Sequence, residues 1–411
     1  MKCRHCHSVF GLAPGEEVID LGVLPSTARL IRPAELTQTE PAFPLRVLGC
    51  LSCGLVQRTE LFSSPPPGRD AGESLALGRR RAPAHDRDYL EAALSLLRLD
   101  PGSQIVQFDA GAGELLGLFV DQIMGCTAVL SDIGSAHGSP SPGIDRIEGV
   151  FDRRAAQRFV ADRGRVDLVI IDNRLEQVAD PHEMLATAAE LLADRGAVSL
   201  EFPHLLATVR GHQFDAVRHE RSLYLSLQSL ERMLARHELA VWDVQTLPDE
   251  GGSLRVWAGR QSSRRTPERS LYRMRESESL ASVGSPALYA GFQTQADRIR
   301  DALLAFLRAE KNAGRRVAGW GACARGITLL NYAGIGPELI EYVADDSPQR
   351  QNTWLPGSRI PVVPEARLRD TPADVVLILP WTRRDELIER LTPLCRPGTR
   401  FVTALPTLTS A

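Results

Sequence analysis

The sequence predicts an α/β protein: an N-terminal zinc-binding module, a central Rossmann-like domain, and a second Rossmann-like α/β domain at the C-terminus. Three observations carry this. Two Cys-x-x-Cys pairs stand within the first 53 residues. Strand-like runs alternate with helix-like runs from residue 104, and the same alternation restarts at residue 316, which is the signature of parallel, doubly wound sheets. A chain of 411 residues is also too long for one ordinary core.

Composition bounds the classes. Apolar residues at 43% and charged residues at 24% are ordinary globular values. A net charge of -3 argues against a general nucleic-acid binder. No apolar run approaches the roughly 20 residues that span a bilayer, and the start, Met1-Lys-Cys-Arg-His-Cys6, lacks the apolar stretch of a signal peptide. The expectation is a cytoplasmic protein with no membrane partner. The sequence leaves the oligomeric state open, and a monomer is compatible with it.

Residues 1–62 form the expected metal module. Cys3, Cys6, Cys50 and Cys53 make two knuckles, each turning two thiols toward one ion, and two knuckles complete a closed tetrahedral S4 shell. Zinc in a structural role is the expected metal. His5 and His7 read as neighbours of the site, not ligands. Residues 63–85, rich in Pro, Gly and Arg, read as a linker or lid.

Residues 86–262 form the expected central domain. A helix over 86–99 precedes strand 105–108, whose loop carries Asp109, Gly111 and Gly113 before a helix over 115–124. Glycines let backbone amides approach a ligand at an electropositive helix start, which suits an adenosyl or dinucleotide group. The competing reading is a plain tight turn. Asp132 ends the next strand, where a carboxylate can accept ribose hydroxyls. Strand 166–171 ends in Asp172-Asn173. A nicotinamide dehydrogenase is disfavoured, because only two of the three fingerprint glycines are present. After strand 197–202 comes the densest polar run, Arg218-His219-Glu220-Arg221 with Tyr224, ahead of a helix over 227–237. A hairpin through Gly251–Trp257 closes the domain.

Residues 263–411 form the expected C-terminal domain. An Arg/Ser-rich run over 262–276 reads as a crossover, followed by a long helix over 289–313. Strand 316–320 then meets a glycine loop with Gly321 and Arg325, where amides and a fixed cation suit a phosphate or diphosphate. A strand over 340–343 leads to Asp345, and one over 375–379 to Trp381.

The order of motifs resembles the zinc-containing, S-adenosylmethionine-dependent C-methyltransferases that act on nucleotide-linked keto-deoxysugars. The residues that carry the resemblance include Asp20-Leu-Gly22, Cys53-Gly-Leu-Val-Gln57, Asp172-Asn173, His219-Glu220 and Gly251-Gly-Ser-Leu-Arg255. The longest string is Gly319 to Gly334, followed by Leu355-Pro-Gly357 and Leu377-Ile-Leu-Pro-Trp381. The resemblance implies structural zinc, S-adenosylmethionine as methyl donor, and a nucleotide-sugar-like substrate. It places the cofactor at Asp109, Gly111, Gly113, Asp132, Asp172 and Asn173. It places the substrate at Gly321, Arg325, Asn331, Asp345, Trp381 and Arg255, and the chemistry at Arg218, His219, Glu220, Arg221, Tyr224 and Glu250. The family reaction removes a proton beside a sugar ketone, and the resulting enolate attacks the sulfonium methyl.

The family pattern at the polar run is close to Tyr-His-Glu-His-Leu-Ser-Tyr. Its second histidine, the expected base, is here Arg221, and its opening tyrosine is Arg218. A guanidinium stays protonated and cannot accept a proton. Histidines expected at two further places are Gln177 and Glu250. Three readings follow: a C-methyltransferase with a rebuilt base (His219, Glu220 or Glu250), a diverged enzyme running non-methylating chemistry with Arg218 and Arg221 on an anionic group, or a non-catalytic binding subunit.

Overall fold

In a computed structural model, residues 1–11, 13–59, 83–109, 113–132, 142–147 and 151–410 are described. Gly111 and nearly all of the expected linker or lid lie outside the described residues. No described helix is long and apolar enough to cross a membrane.

The first module is a small antiparallel sheet of β1 (Glu17–Pro25), β2 (Ala42–Gly49) and β3 (Val56–Arg58). Its fourth strand, β9 (Leu223–Tyr224), comes from far along the chain and pairs antiparallel with β3, Val56 opposite Tyr224. The polar run of the central domain is thus stitched into the zinc module.

The central domain opens with α1 (Pro83–Leu96), which starts three residues before the sequence suggests. Then follow β4 (Gln104–Asp109), α2 (Glu114–Gln122), β5 (Thr127–Asp132), β6 (Ile144–Ile147), α3 (Arg153–Arg163), β7 (Val166–Asp172), α4 (Pro181–Leu191), β8 (Leu192–Pro203), α5 (Leu205–Arg210), β9, α6 (Leu227–Ala235), β10 (Leu239–Leu247) and β11 (Ser253–Arg260). Local chemistry sets the ends. Asp152 and Asp180 accept amides of α3 and α4, and Ser226 with Ser229 makes a capping box on α6. The sheet order is β10-β11-β8-β7-β4-β5-β6. Only β11 is reversed; it pairs antiparallel with both neighbours. The chain runs outward from β4 to β6 and returns at β7, so the switch point, where open α/β sheets hold ligands, lies between the carboxyl ends of β4 and β7.

The C-terminal domain is led in by α7 (Arg269–Leu280), α8 (Pro286–Tyr289) and the long α9 (Phe292–Asn312). The run expected as a crossover is therefore helical from Arg269. Arg and Ser are exposed helix residues there, while Leu271 and Glu278 point inward and are buried. Next come β12 (Val317–Trp320), α10 (Ala324–Tyr332), β13 (Val343–Asp345), β14 (Thr353–Trp354), β15 (Pro361–Pro364), α11 (Arg367–Asp370), β16 (Val375–Ile378), α12 (Arg384–Leu391), β17 (Arg400–Thr403) and β18 (Thr409–Ser410). The strand expected over 340–343 is displaced to β13, because Val343 and Ala344 are the residues that pair with β12. The order β14-β15-β13-β12-β16-β17-β18 puts this sheet's switch point between β12 and β16.

The cores are shared across these units. Phe10, Leu48, Cys50, Cys53 and Leu55 pack with the central domain's buried aliphatics. Val18, Ile19, Leu21, Leu45 and Val47 pack with Phe292, Leu303 and Ile327 of the C-terminal domain. The zinc module is a wedge with one apolar face on each α/β domain.

Candidate active site and metal centre

The four cysteine sulfurs all lie within 4.8 Å of one another. Cys3 Sγ is 3.5 Å from Cys53 Sγ, and Cys6 Sγ is 3.6 Å from Cys50 Sγ. Four thiolates about 2.3 Å from a tetrahedral zinc stand roughly 3.8 Å apart, so the set fits the ion. The Gln57 side-chain amide (3.2 Å) and the His5 backbone amide (3.4 Å) both donate to Cys3 Sγ, the kind of outer support that favours a thiolate. The hydrogen bond with Cys53 pulls the Cys3 thiol down to about 4 and pushes the Cys53 thiol up. Burial raises Cys50. His5 pairs with His182, Nδ1 to Nε2 at 3.2 Å, and is not part of the sulfur cluster.

The polar run 218–224 divides between two faces. His219 Nε2 lies 3.2 Å from the Phe43 carbonyl. The Glu220 carboxylate accepts hydroxyls from Ser26 (2.7 Å) and Thr27 (2.8 Å). Both contacts reach into the zinc module. The Tyr224 hydroxyl oxygen accepts the Arg218 amide at 3.2 Å, closing its own loop, and burial raises its pKa. Arg221 turns inward instead. It is 3% exposed, and its Nη2 stands 3.8 Å from Glu176 Oε1. Burial, then Arg218, lowers Arg221 to about 10, still a cation at neutral pH. Burial likewise raises the Glu176 carboxyl, with Arg221 the main opposing influence.

At the carboxyl edge of the central sheet, Glu201 of β8 and Arg255 of β11 face each other and bond at 2.5 Å. Arg255 also donates to Asp88 (2.9 Å) and lies over the Tyr89 ring at 4.7 Å. His85, one turn before Tyr89 on α1, sets Nε2 2.9 Å from Glu201 and Nδ1 3.2 Å from Asp249. Tyr89 is fully buried, and its pKa is raised first by burial and then by Asp172. Asn173 holds a left-handed conformation (φ 50°), its amide donating to the Glu201 carbonyl at 2.7 Å. The side chains of β7, β8, β11 and α1 therefore converge beside the switch point.

The turn 249–251 links this cluster to the C-terminal domain. Asp249 faces His85, while the next residue, Glu250, sets Oε2 3.4 Å from Arg325 Nε. Arg325 also donates to Asp215 (3.3 Å), to Gln213 (3.1 Å) and to the Glu250 carbonyl (2.6 Å), and Trp381 Nε1 donates to Asp215 at 2.7 Å. Burial works against the Arg325 cation, but Asp215 and Glu250 outweigh it and raise the pKa. The sequence suggests Arg325 as a phosphate ligand; here its donors lock the two α/β domains together.

Of the two glycine loops, the described glycines Gly113 and Gly321 both have positive φ. Gly113 is left-handed (φ 78°) and caps α2, and a Cβ there would meet Ile144 at 3.2 Å. Gly321 (φ 92°) lies so close to Pro380 that a Cβ would sit 2.6 Å from its Cδ. Asp345 accepts the amides of Ala322 (2.8 Å) and Ser347 (2.9 Å), bracing the second loop. Asn331 donates to the Pro356 carbonyl at 3.1 Å. Asp109 and Asp132 end β4 and β5, at the switch-point edge.

Comparison with known proteins follows these divisions. Residues 3–65 match a zinc binding domain, 79–244 a methyltransferase domain, and 248–406 the C-methyltransferase C-terminal domain. The three matches together span nearly the whole chain, in the order zinc binding domain, methyltransferase domain and C-methyltransferase C-terminal domain. The chain is 27% identical over 416 aligned positions to C-methyltransferase NovU of Streptomyces niveus, covering 98% of this chain and 95% of that protein. Among solved structures it is similar to a SAM-dependent methyltransferase from Anabaena variabilis (11% identity, 44% of this chain and 86% of that chain, TM-score 0.35). It is also similar to CalO1, a methyltransferase of calicheamicin biosynthesis (15% identity, 42% and 55%, TM-score 0.30).

In this methyltransferase, several site residues escape sequence reasoning. Glu201 had a signal: a carboxylate inside the apolar run Ala197–Phe202. His85 and Tyr89 had one too, as an i,i+4 pair on one face of α1. Glu176 had none, since its burial comes from segment 218–222 folding back, with Ser222 and Leu223 amides donating to the Glu176 carbonyl.

Proposed function

We propose that this C-methyltransferase moves the methyl group of S-adenosylmethionine to a carbon beside the ketone of a nucleotide-linked deoxysugar. The observation that carries the reading is the polar cluster of His85, Tyr89, Glu201 and Arg255 beside the central sheet's switch point. It is joined through the turn 249–251 to Arg325 and Trp381 of the second sheet. The cofactor, when bound, supplies an electrophilic methyl on a sulfonium. Gly113, left-handed at the start of α2, is assigned to the adenosyl group, with Asp132 and Asp172 at the ends of the two strands that flank β4. Gly321 and Asp345, at the second switch point, are assigned to the nucleotide. Arg255 and Tyr89 orient the sugar between the two loops.

Calorimetry with S-adenosylmethionine tests the first half: saturable binding is expected and is lost in Gly113→Trp. Transfer of labelled methyl to a thymidine-diphospho-keto-deoxysugar tests the second half. Absence of any binding by pure, folded protein refutes methyl transfer. A second reading, non-methylating chemistry on a related substrate, draws on Arg221 at the place of the family's base. It predicts turnover of the same substrate without the sulfonium.

A further inference from the structure

Arg221 occupies the place of the proton acceptor in the resembled family pattern, and a guanidinium cannot fill that role. Its polar neighbours are committed elsewhere. His219 is buried against the Phe43 carbonyl, Glu220 holds two hydroxyls of the zinc module, and Glu250 faces Arg325. Glu176 is different. It is 1% exposed, no donor of another described residue hydrogen-bonds either carboxylate oxygen, and its partner Arg221 stands off at 3.8 Å. Burying a carboxylate without hydrogen bonds costs several kcal/mol, and a purely structural pair would close the gap. Native structures leave few such groups, and they concentrate where a ligand completes them. Glu176 also lies three residues past Asn173, off the carboxyl end of β7, on the ligand side of the switch point with β4.

We propose that Glu176 is the general base of C-methylation and that Arg221 receives the developing enolate oxygen. The assignment rests on the methyl-transfer reading above. A Glu176 oxygen takes the proton from the carbon beside the ketone, and the C–H pair becomes the enolate π bond. The carbonyl pair moves onto oxygen, where Arg221, relieved of its counter-charge as Glu176 is neutralised, donates to it. The enolate carbon then forms its bond to the methyl as the methyl–sulfur bond breaks, its electrons leaving on a neutral thioether. Glu176 returns its proton to solvent. Arg174 and Arg218 also face Glu176, and their pull, with that of Arg221, opposes the burial that raises its carboxyl; Glu250 and Tyr224 face Arg221.

The test uses the full, zinc-loaded chain with thymidine-diphospho-4-keto-6-deoxyglucose in deuterated water. S-adenosylhomocysteine fills the donor site, so exchange beside the ketone reports proton removal alone. Wild type is expected to exchange. Glu176→Gln is expected to exchange on the order of 100-fold slower, with S-adenosylhomocysteine affinity unchanged and the fold intact by circular dichroism. Glu176→Asp is expected to retain partial exchange, and it carries the decision if the glutamine variant does not fold. Exchange at the wild-type rate in both variants overturns the assignment, as does a wild type that binds S-adenosylhomocysteine but exchanges nothing. Failure to bind S-adenosylhomocysteine at all overturns the methyl-transfer reading together with it.

Discussion

Glu201 and Arg255 sit opposite each other on β8 and β11, with Arg255 Nε 2.5 Å from Glu201 Oε1 and both side chains almost wholly buried. The reversal of β11 makes this pairing possible, because it brings the start of one strand against the end of the other. Removing one member strands a charge in low dielectric, which costs about 3–5 kcal/mol. Arg255→Met and Glu201→Gln are each expected to lower the unfolding free energy by that amount in urea titrations. The double variant is expected to lose less than the sum. Additive losses would mean the two groups are not coupled.

His85 ties α1 to both Glu201 and Asp249, so it fixes the helix that carries Tyr89 against the turn that carries Glu250. His85→Phe keeps the bulk and removes both bonds. Turnover is expected to fall about 10- to 100-fold through misplacement of the site, while stability falls only about 1 kcal/mol per lost bond. Steady-state kinetics and urea titration on the same preparation separate the two. A large stability loss with unchanged kcat would make His85 structural.

The zinc module is wedged between the two α/β domains, and β3 holds the polar run through β9. Metal loss should therefore reach the active site. Cys50→Ser combined with Cys53→Ser is expected to drop the metal content from about one zinc per chain to none. The melting temperature and methyl transfer should fall with it. Retained activity in zinc-free protein would show that the wedge holds without its ion.

Both sheets, the turn at Gly321 and the cysteine set were legible because each depends on local pattern: alternation of apolar runs, a glycine at a strand end, paired thiols. The polar run 218–224 was legible as a place but not as an arrangement. Its residues are consecutive, yet His219 and Glu220 face the zinc module while Arg221 faces Glu176, a split set by pairing with β3. Arg325 was legible as a cation at a helix start, but its partners, Asp215, Gln213 and Glu250, stand 75 or more residues away in sequence. Long-range pairing of this kind leaves no periodic trace in the chain. Helix α7 was obscured by its Arg and Ser content, because the inward-facing Leu271 and Glu278 are too few to set a clear apolar stripe.

Arg325 joins the two α/β domains by a fork of donors that a single ammonium cannot reproduce. Arg325→Lys keeps the charge and gives up at least one charged hydrogen bond among Asp215, Gln213 and the Glu250 carbonyl. A loss of about 1.5–3 kcal/mol is expected, with faster limited proteolysis as the domains part. Unchanged stability would mean that the shared core around Phe214 and Leu303 holds the domains unaided.

The Glu176 carboxyl is held above its ordinary value of 4.5, first by burial, against the pull of Arg221, Arg218 and Arg174. The folded chain thus keeps a proton at pH values where the unfolded chain has released it. By linkage, the contribution of this group to stability is complete below 4.5 and is lost as pH rises through the folded value. Between those limits each pH unit removes at most about 1.4 kcal/mol. Glu176→Gln carries no titrating proton. The difference in unfolding free energy, variant minus wild type, is therefore expected to grow as pH is raised from 4.5 toward neutrality, whatever its starting sign. Urea titrations of both proteins across that series measure it. A difference that shrinks with pH would mean that Glu176 is held ionised in the folded state, with Arg221 outweighing burial.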